Sequence, residues 1–383
     1  MTISALRYLL APYGETLVGS GAFSHVFKAT EEGSSTQVAI KKSRISNPVK
    51  RSVLQHESRI LQLLKGHASI PAVYGYGRLE HFEYISMELL GPSLAKQKND
   101  GAGMMTKTVI RIVVQVLAEL QHIHDLGIVH RDIKPENLLC SLEDPSTIKI
   151  IDFNVSKPFS RDQPTKYDPL KEKRHIMGTI YWASLNSHNG LDLAPHDDLE
   201  SLAFVALYLL RGSLPWKPRP RGESQVRSQE IVRLMKMSCP GSDLSAGFPN
   251  EFGELLAYSR SMQFRHLPDY NELRRSFASL ADKLGYSIDN EPLDWTPSYP
   301  KPSNPILDEP TLPDTEEYED IKYDPDNDDG ATDSYCAWDI DMWDHRQDGD
   351  RDTNLTLPTT QEVELDKSLP IIAEVRKPWN DDI

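Results

Sequence analysis

The pattern of apolar residues changes at Gly91-Pro92, and this change limits the folds open to the chain. Before it, residues 16–87 consist mainly of short segments in which apolar and polar residues alternate, the pattern typical of half-buried β-strands, with one helical segment at residues 49–66. After it, apolar residues recur at helical spacing, and residues 197–212 are apolar nearly all round, as in a helix buried in a large core. The sequence therefore predicts an α+β protein: a small β-rich domain with one helix, then a larger helical domain.

A third region begins near residue 286, where the helical periodicity stops and proline and acidic residues dominate. Residues 291–383 carry 26 acidic and 7 basic side chains, so the first 290 residues carry a net charge of about +4 against −15 for the whole chain. A segment with high charge and little apolar surface cannot bury enough to fold, which predicts a disordered tail. Two interpretations stay open: the tail only aids solubility, or it mimics an anion that the basic body binds.

Composition argues against several classes of protein. Cys140, Cys239 and Cys336 are too few and too far apart for a disulfide framework or a zinc site, which indicates a reducing compartment, the cytoplasm and/or the nucleus. No signal peptide is expected, and the longest apolar segment, residues 202–210, is about half of what a membrane span needs, so no membrane partner is predicted. A pI near 5.3 and the lack of an aromatic-basic platform argue against binding to nucleic acid.

Glycine-rich sequence occurs between two alternating apolar stretches, in the segment VGSGAFSHV that ends at Val26. Because glycine has no side chain, backbone N–H groups beside it can approach phosphate oxygens, and a hairpin tip can fold over them. The candidates for phosphate binding are Gly19, Ser20, Gly21, Ala22, Phe23 and Ser24. A plain turn between strands has the same composition, so this segment alone does not decide the function.

Lys41 ends the apolar strand Val38-Ala-Ile-Lys41, fifteen residues after Val26. A lysine at the end of a strand is usually solvated. One that points inward can clamp the α- and β-phosphates of a nucleotide, and it then needs a carboxylate to hold it. Glu57, on the helical segment that follows, is the natural partner, with Leu61 one turn later.

Asp132, Lys134 and Asn137 fall in one short segment (HRDIKPEN), and Asp152 follows an apolar strand (IIDFN). Phosphoryl transfer leaves a protein little covalent chemistry to do, so it demands positioning and neutralisation of charge. In that chemistry Asp132 accepts or orients the proton of the attacking hydroxyl, and Lys134 neutralises the phosphoryl group. Asn137 and Asp152 supply the amide oxygen and the carboxylate that Mg²⁺ prefers as ligands.

Taken in order, the glycine-rich segment, the strand with Lys41, HRDIKPEN and IDF resemble the motifs of eukaryotic protein kinases. More narrowly, residues 12–285 resemble the casein kinase I family, in which Ala183-Ser-Leu-Asn186 replaces the Ala-Pro-Glu of most kinases. The other segments that carry this resemblance are MELLGPSL (87–94), GTIYWASLN (178–186), DDLESL (197–202), GSLPW (212–216) and RSMQFRHLPDY (260–270). The resemblance implies a bilobal kinase fold that binds Mg-ATP between its lobes and phosphorylates serine or threonine.

The resemblance also implies domain boundaries and an adenine pocket. Residues 1–87 would form the N-lobe, 88–92 the hinge, 93–285 the C-lobe and 286–383 the acidic tail. Met87 would stand beside the adenine ring as the gatekeeper. The other pocket residues would be Glu88 and Leu90 through their backbone groups, Val26 and Ala39 as the roof, and Leu139 as the floor. Further implications are that Asp198 hydrogen-bonds the backbone around His130 and Arg131, and that Lys134 favours Ser/Thr over tyrosine specificity.

Two positions depart from the family pattern. Ser24 replaces the third glycine of the phosphate loop, and Asn154 replaces the glycine that usually follows Asp-Phe. Asparagine tolerates a positive φ better than most residues, so Asp152 is expected to be placed correctly. The alternatives are an active kinase and a pseudokinase that binds nucleotide or a partner without transferring phosphate. The sequence favours the active enzyme, since it retains all four residues whose loss would indicate a pseudokinase: Lys41, Asp132, Asn137 and Asp152.

Casein kinase I enzymes favour substrates that are acidic or phosphorylated before the target residue, and they bind them at a small basic site near the activation segment. Two basic clusters occupy the corresponding places, with Lys171, Arg174, Lys217 and Arg219 as the candidate anion-binding residues. The family's further arginine after Gly-Thr is absent, because Ile180 follows Thr179. The clusters therefore either bind acidic substrates, and the chain's own tail as a possible autoinhibitor, or simply solvate two loops.

Overall fold

The computed structural model describes residues 6–9, 17–21, 24–44, 52–78, 81–98, 103–159, 176–217, 224–288, 293–296 and 372–376. These residues belong to two compact units. The first contains the described residues that fall within 1–65, 71–90 and 302–383, and the second contains those within 66–70 and 91–301. The division between Leu90 and Gly91 falls within the segment that the sequence predicted as the hinge.

The first unit is built on an antiparallel sheet in the order β1-β3-β4-β6-β5, with β2 also paired to β3. The strands are β1 (Leu6–Leu9), β2 (Leu17–Ser20), β3 (Ser24–Glu31), β4 (Gln37–Arg44), β5 (Val73–Arg78) and β6 (Phe82–Glu88). One helix, α1 (Val53–Leu63), is described between β4 and β5. The β-rich unit with a helix among its strands, predicted from the alternation of apolar residues, is confirmed.

The two faces of this sheet carry different residues. One face bears a buried apolar cluster made of Tyr8, Ala29, Val38, Ile40 and Tyr84. Ser86 Oγ donates a hydrogen bond to the Tyr8 hydroxyl (2.7 Å) within it. Because successive residues of a strand point to opposite faces, Ala39 and Lys41 of β4 lie on the other face.

The second unit is helical, as the sequence predicted. Its described α-helices are α2 (Leu94–Gln97), α3 (Thr106–Asp125), α4 (Leu185–His188), α5 (Pro195–Arg211), α6 (Gln225–Ser238), α7 (Gly241–Leu244), α8 (Asn250–Ser261) and α9 (Tyr270–Lys283). Two short antiparallel pairs accompany them, β7 (Ile128–Val129) with β10 (Lys157–Pro158) and β8 (Leu138–Cys140) with β9 (Ile148–Ile150). Helix α5 is buried along almost its whole length, since it is apolar nearly all round, and α3, α4 and α8 pack against it. No helix in the described part of the chain is long and apolar enough to cross a membrane.

The second unit continues beyond residue 285, where the sequence placed its end. Leu293 and Trp295 are buried, and Trp295 Nε1 donates to a backbone carbonyl (3.0 Å). Asp294 accepts hydrogen bonds from Met105 N (2.9 Å) and Thr108 Oγ1 (2.6 Å). It therefore caps the N-terminus of α3, whose own preceding residue has no polar side chain to do so.

Most of the predicted tail, residues 297–371 and 377–383, lies outside the described residues. Its described part beyond Thr296 is β11 (Ile372–Arg376), which pairs in parallel with β1 at the edge of the sheet of the first unit. The sequence did not predict this strand, because five residues of weak alternation give no sign of a partner strand at the opposite end of the chain.

Candidate active site

Lys41 and Glu57 form a buried ion pair in the first unit. The lysine Nζ lies 2.9 Å from Oε1 and 2.7 Å from Oε2 of the carboxylate, and the two side chains are 8% and 1% exposed. The pair links β4 to the middle of α1. A contact to both carboxylate oxygens is the arrangement that best offsets the cost of removing two charges from water. The pairing predicted from the sequence is confirmed.

A second buried carboxylate, that of Glu83 in β6, holds the N-terminus of α1. Its Oε1 accepts from Leu54 N (2.9 Å), and its Oε2 accepts from the Ser52 hydroxyl and from the Tyr76 hydroxyl (3.0 Å). A carboxylate at this end of a helix satisfies free N–H groups and is favoured by the helix dipole. Burial and the charge of Glu83 raise the pKa of Tyr76, so its phenol stays protonated as a donor. Glu83 therefore fixes the helix that carries Glu57.

The residues predicted to surround a nucleotide in the first unit share a face of the sheet with Lys41. In the antiparallel register Val26 pairs with Lys41 and Ala39 pairs with Met87. Directly paired residues point to the same face, and Ala39 and Lys41 are two residues apart on one strand, so all four lie together. Ala39 and Met87 are buried and Val26 is half-buried. The remaining apolar candidate, Leu139, lies in β8 of the second unit.

Glu88, the last residue of β6, uses one of its backbone groups in a hydrogen bond within the first unit. The N–H of Glu88 donates to Ala72 O (2.8 Å). This N–H is already bonded within the unit, so the role predicted for Glu88 rests on its carbonyl group. Leu90, two residues beyond, is half-buried just after the strand.

The glycine-rich segment forms the hairpin between β2 and β3. Gly21 N donates to Ser24 O (2.8 Å), while Ala22 and Phe23 lie outside the described residues. A Cβ added at Gly19 or Gly21 would come no closer than 3.8 Å to its neighbours, and neither residue has a positive φ. The described part of the hairpin therefore does not itself require glycine.

Asp132 lies at the centre of a hydrogen-bonded cluster in the second unit. Its Oδ1 accepts from the N–H (2.8 Å) and the hydroxyl (3.0 Å) of Thr179, and its Oδ2 accepts from Lys134 Nζ (2.8 Å) and Asn137 Nδ2 (3.3 Å). Lys134 Nζ also donates to Thr179 Oγ1 (2.9 Å). Burial acts to lower the pKa of Lys134, but the carboxylates of Asp132 and Asp152 outweigh it and raise the pKa above that of an ordinary lysine. The ammonium group is therefore charged.

Asp198 of α5 anchors the loop that carries Asp132. Its carboxylate accepts from the N–H groups of His130 and Arg131 (2.8 Å each) and lies 2.9 Å from His124 Nε2. Burial acts to raise the pKa of Asp198, but the hydrogen bonds and charge of its partners lower it below the usual range, so the group is ionised at neutral pH. Both backbone hydrogen bonds expected for this residue are present. Arg131 has a φ of +71°, a strained angle that these bonds hold in place.

The two predicted metal ligands offer oxygen atoms of the kind that Mg²⁺ prefers. Asn137 donates its Nδ2 to Asp132 O (2.9 Å), which leaves its amide oxygen as the ligand atom. Asp152 supplies a carboxylate and has a φ of +70°. Asn154 is not among the residues with a positive φ. The left-handed conformation that the sequence suggested for position 154 is therefore taken two residues earlier, by Asp152 itself.

Gly178 and Thr179 belong to this cluster, although the sequence pattern assigned them no role. Gly178 has a φ of +81°, and a Cβ there would lie 2.5 Å from Arg131 O and 3.1 Å from Asp132 Oδ1. Only glycine allows the backbone to approach the loop this closely. In the sequence the Gly-Thr pair was visible only as part of the family resemblance.

Of the four basic residues predicted to bind substrate anions, the structure describes Lys217. Its Nζ lies 5.6, 5.2 and 5.0 Å from the ring centroids of Tyr181, Trp182 and Tyr208. An ammonium group at these distances is attracted to the faces of the rings. The other three predicted residues lie outside the described part of the chain: Lys171, Arg174 and Arg219.

A family model of the protein kinase domain matches residues 14–279. The match covers the Lys41–Glu57 ion pair, the cluster around Asp132 and the carboxylate of Asp152. It also covers strands β2 to β6 of the first unit and the described helices of the second unit, except the end of α9. The chain therefore belongs to the protein kinase family, whose members are phosphotransferases that use ATP and a divalent metal ion.

Proposed function

We propose that this chain is an active Ser/Thr protein kinase of the casein kinase I type, which transfers the γ-phosphoryl group of Mg-ATP to hydroxyl groups of proteins. The observation that carries the proposal is the cluster around Asp132, where a carboxylate, the charged Lys134 and the hydroxyl of Thr179 meet within hydrogen-bonding distance. The Lys41–Glu57 ion pair supports activity over a pseudokinase. Serine/threonine specificity rests on the resemblance, in which Lys134 follows two residues after the catalytic aspartate.

Asp132 would accept or orient the proton of the substrate hydroxyl. A carboxylate has about four lone-pair positions, and the donors from Thr179, Lys134 and Asn137 already point to four of them. A substrate hydroxyl would therefore replace one of these donors. Lys134 has the longest and most flexible of these side chains, and by turning away it would bring positive charge to where negative charge develops on the phosphoryl group.

The chain's other polar residues would hold the nucleotide and the metal ion. When bound, Mg-ATP supplies the phosphoryl group, with part of its charge neutralised. Asn137 and Asp152 would bind the metal ion through their oxygen atoms. Lys41, oriented by Glu57, would bind phosphate oxygens, and the backbone N–H groups of the β2–β3 hairpin would cover them. The apolar residues on the same face as Lys41 would contact the adenine ring.

The direct test uses the purified full chain with γ-labelled ATP and Mg²⁺ and four versions of one peptide. Three carry Ser, Thr or Tyr after an acidic stretch, and the fourth carries Ser after a basic stretch. We expect transfer to Ser and Thr, with kcat/KM at least about tenfold lower for Tyr and for the basic peptide. The Asp132→Asn variant gives the background. Nucleotide binding without transfer to any peptide would establish the pseudokinase alternative, and efficient labelling of Tyr would overturn the proposed specificity.

We further propose that the acidic tail competes with acidic substrates within the same molecule. The support is the charge of −19 in residues 291–383, carried next to a body with a net charge of about +4. A tethered segment reaches an effective concentration of about 1 mM, so weak affinity suffices for docking. The basic residues it would meet, around Arg174 and Arg219, and its own hydroxyls Thr332, Ser334 and Thr353 lie outside the described residues.

Three chains test the tail: the full chain, one ending at residue 370 that lacks β11, and one ending at residue 300. The last cut falls after Thr296, because an earlier cut would remove Asp294, the cap of α3. If the acidic residues of the tail compete with the substrate, the chain ending at residue 300 has the lowest KM for an acidic peptide at low salt. The full chain and the chain ending at residue 370 then have equal KM values. The difference should vanish by about 0.5 M NaCl, since exposed charges are screened over less than about 10 Å. Equal KM values at low salt would leave the tail without this role.

A further inference from the structure

Lys236 in α6 has no exposed surface, although lysine is rarely buried without a partner. Its Nζ donates to Ile180 O (2.8 Å) and Ala183 O (2.6 Å) and lies 3.1 Å from His188 Nε2. An ammonium group has three N–H donors, so each finds an acceptor here. None of the proposed catalytic steps uses this side chain.

The two carbonyl groups that Lys236 binds belong to the segment Thr179–Ala183. Two other buried side chains bind the backbone of this segment or of the residues just before it. Trp216 Nε1 donates to Tyr181 O (3.0 Å). Ser187 Oγ donates to Met177 O (2.8 Å) and accepts from Met177 N (2.9 Å). Side chains from three parts of the second unit therefore bind carbonyl groups along one stretch of backbone that begins beside the Asp132 cluster.

A partly buried ion pair holds the helix end from which Lys236 projects. Arg260 of α8 lies 2.9 Å from Glu200 of α5 and donates to the backbone carbonyls of Lys236 (3.0 Å) and Cys239 (3.1 Å). The other oxygen of Glu200 accepts from Leu185 N (3.3 Å), at the first residue of α4. The same cluster thus fixes the end of α6 and the chain immediately after Ala183.

The groups around Lys236 affect the protonation of its side chain and of His188. Burial lowers the pKa of Lys236 well below that of an ordinary lysine, while Glu200 acts to raise it and Arg260 to lower it. Burial, and then the charge of Lys236, lower the pKa of His188 to about 3, so its ring is neutral and can accept a hydrogen bond. The ring of Phe204 lies 4.9 Å from Nζ. Burying the polar end of a lysine costs more than burying an apolar side chain, and this cost is offset here by three acceptors around Nζ, two of them backbone carbonyls.

We infer that Lys236 is a positioning residue for protein substrates, which holds the segment Thr179–Ala183 in place beside Asp132. Thr179 bonds to Asp132 directly, so a peptide whose hydroxyl reaches Asp132 must lie along this segment. The inference rests on the proposed kinase activity. It assigns to Lys236 an effect on the binding of the peptide and not on that of the nucleotide, which other residues would hold.

The test compares Lys236→Met with Lys283→Met, a change at an exposed lysine of α9 whose ion pair with Glu251 is long (3.7 Å). Methionine keeps most of the length of the side chain and removes all three donors. We expect the KM for an acidic Ser peptide to rise about tenfold, the size of a lost hydrogen bond to a charged group, with the KM for ATP changed less than about twofold. Lys283→Met should match the wild-type enzyme in both constants.

A loss of folded protein alone would lower kcat and leave both KM values unchanged, so the split between the two KM values identifies positioning. An unchanged peptide KM in folded Lys236→Met, or an equal rise in both KM values, overturns the inference. If Lys236→Met does not fold, His188→Leu decides, because it removes one acceptor and spares both carbonyl contacts. We then expect a peptide KM raised about threefold, and an unchanged value overturns the inference. Failure of the wild-type chain to phosphorylate any peptide would instead refute the proposed function.

Discussion

The proposed site residues of the first unit and those of the second unit are held in place in different ways. In the first unit, the Lys41–Glu57 pair depends on the position of one helix, α1, whose N-terminus is fixed by the carboxylate of Glu83. In the second unit, Asp132 accepts four hydrogen bonds, and its loop is tied to α5 through two further bonds to Asp198. The first group of residues depends on the position of one helix, and the second on a network of hydrogen bonds within a buried core.

This difference explains where the chain holds strained backbone. Arg131 and Asp152 both have φ values near +70°, which cost energy for any residue with a side chain, and both lie in the second unit, near the network around Asp132. In the first unit the sole non-glycine residue with a positive φ in the described part of the chain is Ser35, in an exposed turn. We therefore expect substitutions of Asp132 or Asp198, within this network, to abolish chemistry or lower stability strongly, and those that act through α1 to have graded effects.

The largest effect is expected for the two carboxylates proposed to act in the chemistry. Asp132→Asn weakens the acceptor for the hydroxyl proton, and Asp152→Asn removes the anionic ligand of the metal ion. Each should lower kcat by about 10²–10⁴-fold, while the thermal unfolding transition stays cooperative. Initial rates with saturating peptide and ATP measure the effect. A variant that kept more than about a tenth of the wild-type rate would contradict the role given to that residue.

The next largest effect is expected at Asp198, which anchors the loop that carries Asp132. In Asp198→Asn, one side-chain atom becomes a donor that faces a backbone N–H, and the buried charge that pairs with His124 is lost. We expect about 3 kcal/mol of lost stability by urea unfolding, with loss of most activity. The matched control is Asp192→Asn, at a partly exposed ion pair with Lys157, which should cost less than about 1 kcal/mol. Equal losses for both variants would mean that Asp198 does not anchor the loop.

The sequence predicted contacts between residues that belong to known motifs, and it missed contacts between charged side chains and distant backbone groups. The Lys41–Glu57 pair and the role of Asp198 were predictable, because the order of the motifs marks these residues. Three other charged residues bind backbone groups far away in the chain, and each alone resembles a solvated charge: Glu83, Lys236 and Asp294. For Lys236 there was one signal, since Ser228 and Val232 precede it at helical spacing on the buried face of α6. The backbone conformation of position 152 left no such sign.

A moderate effect is expected at Glu83, whose role was one of those missed. In Glu83→Gln the amide oxygen can still accept from Leu54 N, but the amide nitrogen cannot accept from the hydroxyls of Ser52 and Tyr76. We expect about 1–2 kcal/mol of lost stability and a KM for ATP raised about threefold to tenfold, because α1 carries Glu57. Glu32→Gln, at an exposed carboxylate of the same unit, is the control and should change neither quantity. A KM for ATP that did not change would separate Glu83 from the nucleotide site.

The smallest effect is expected at Asn154, the position where the chain departs from the glycine of its family. Its φ is not positive, so Asn154→Gly relieves no strain. The substitution only increases the conformational freedom of the unfolded chain, which should lower stability by about 0.5–1 kcal/mol. Activity should change less than about twofold. Ser35→Gly is the matched control, because Ser35 has a φ of +58° and glycine there should stabilise the protein by a similar amount. Urea midpoints measure the stability of both variants, and initial rates measure their activity. A gain in stability at position 154 would show that the chain needs a left-handed residue there, and a tenfold loss of activity would show that the asparagine side chain takes part in the chemistry.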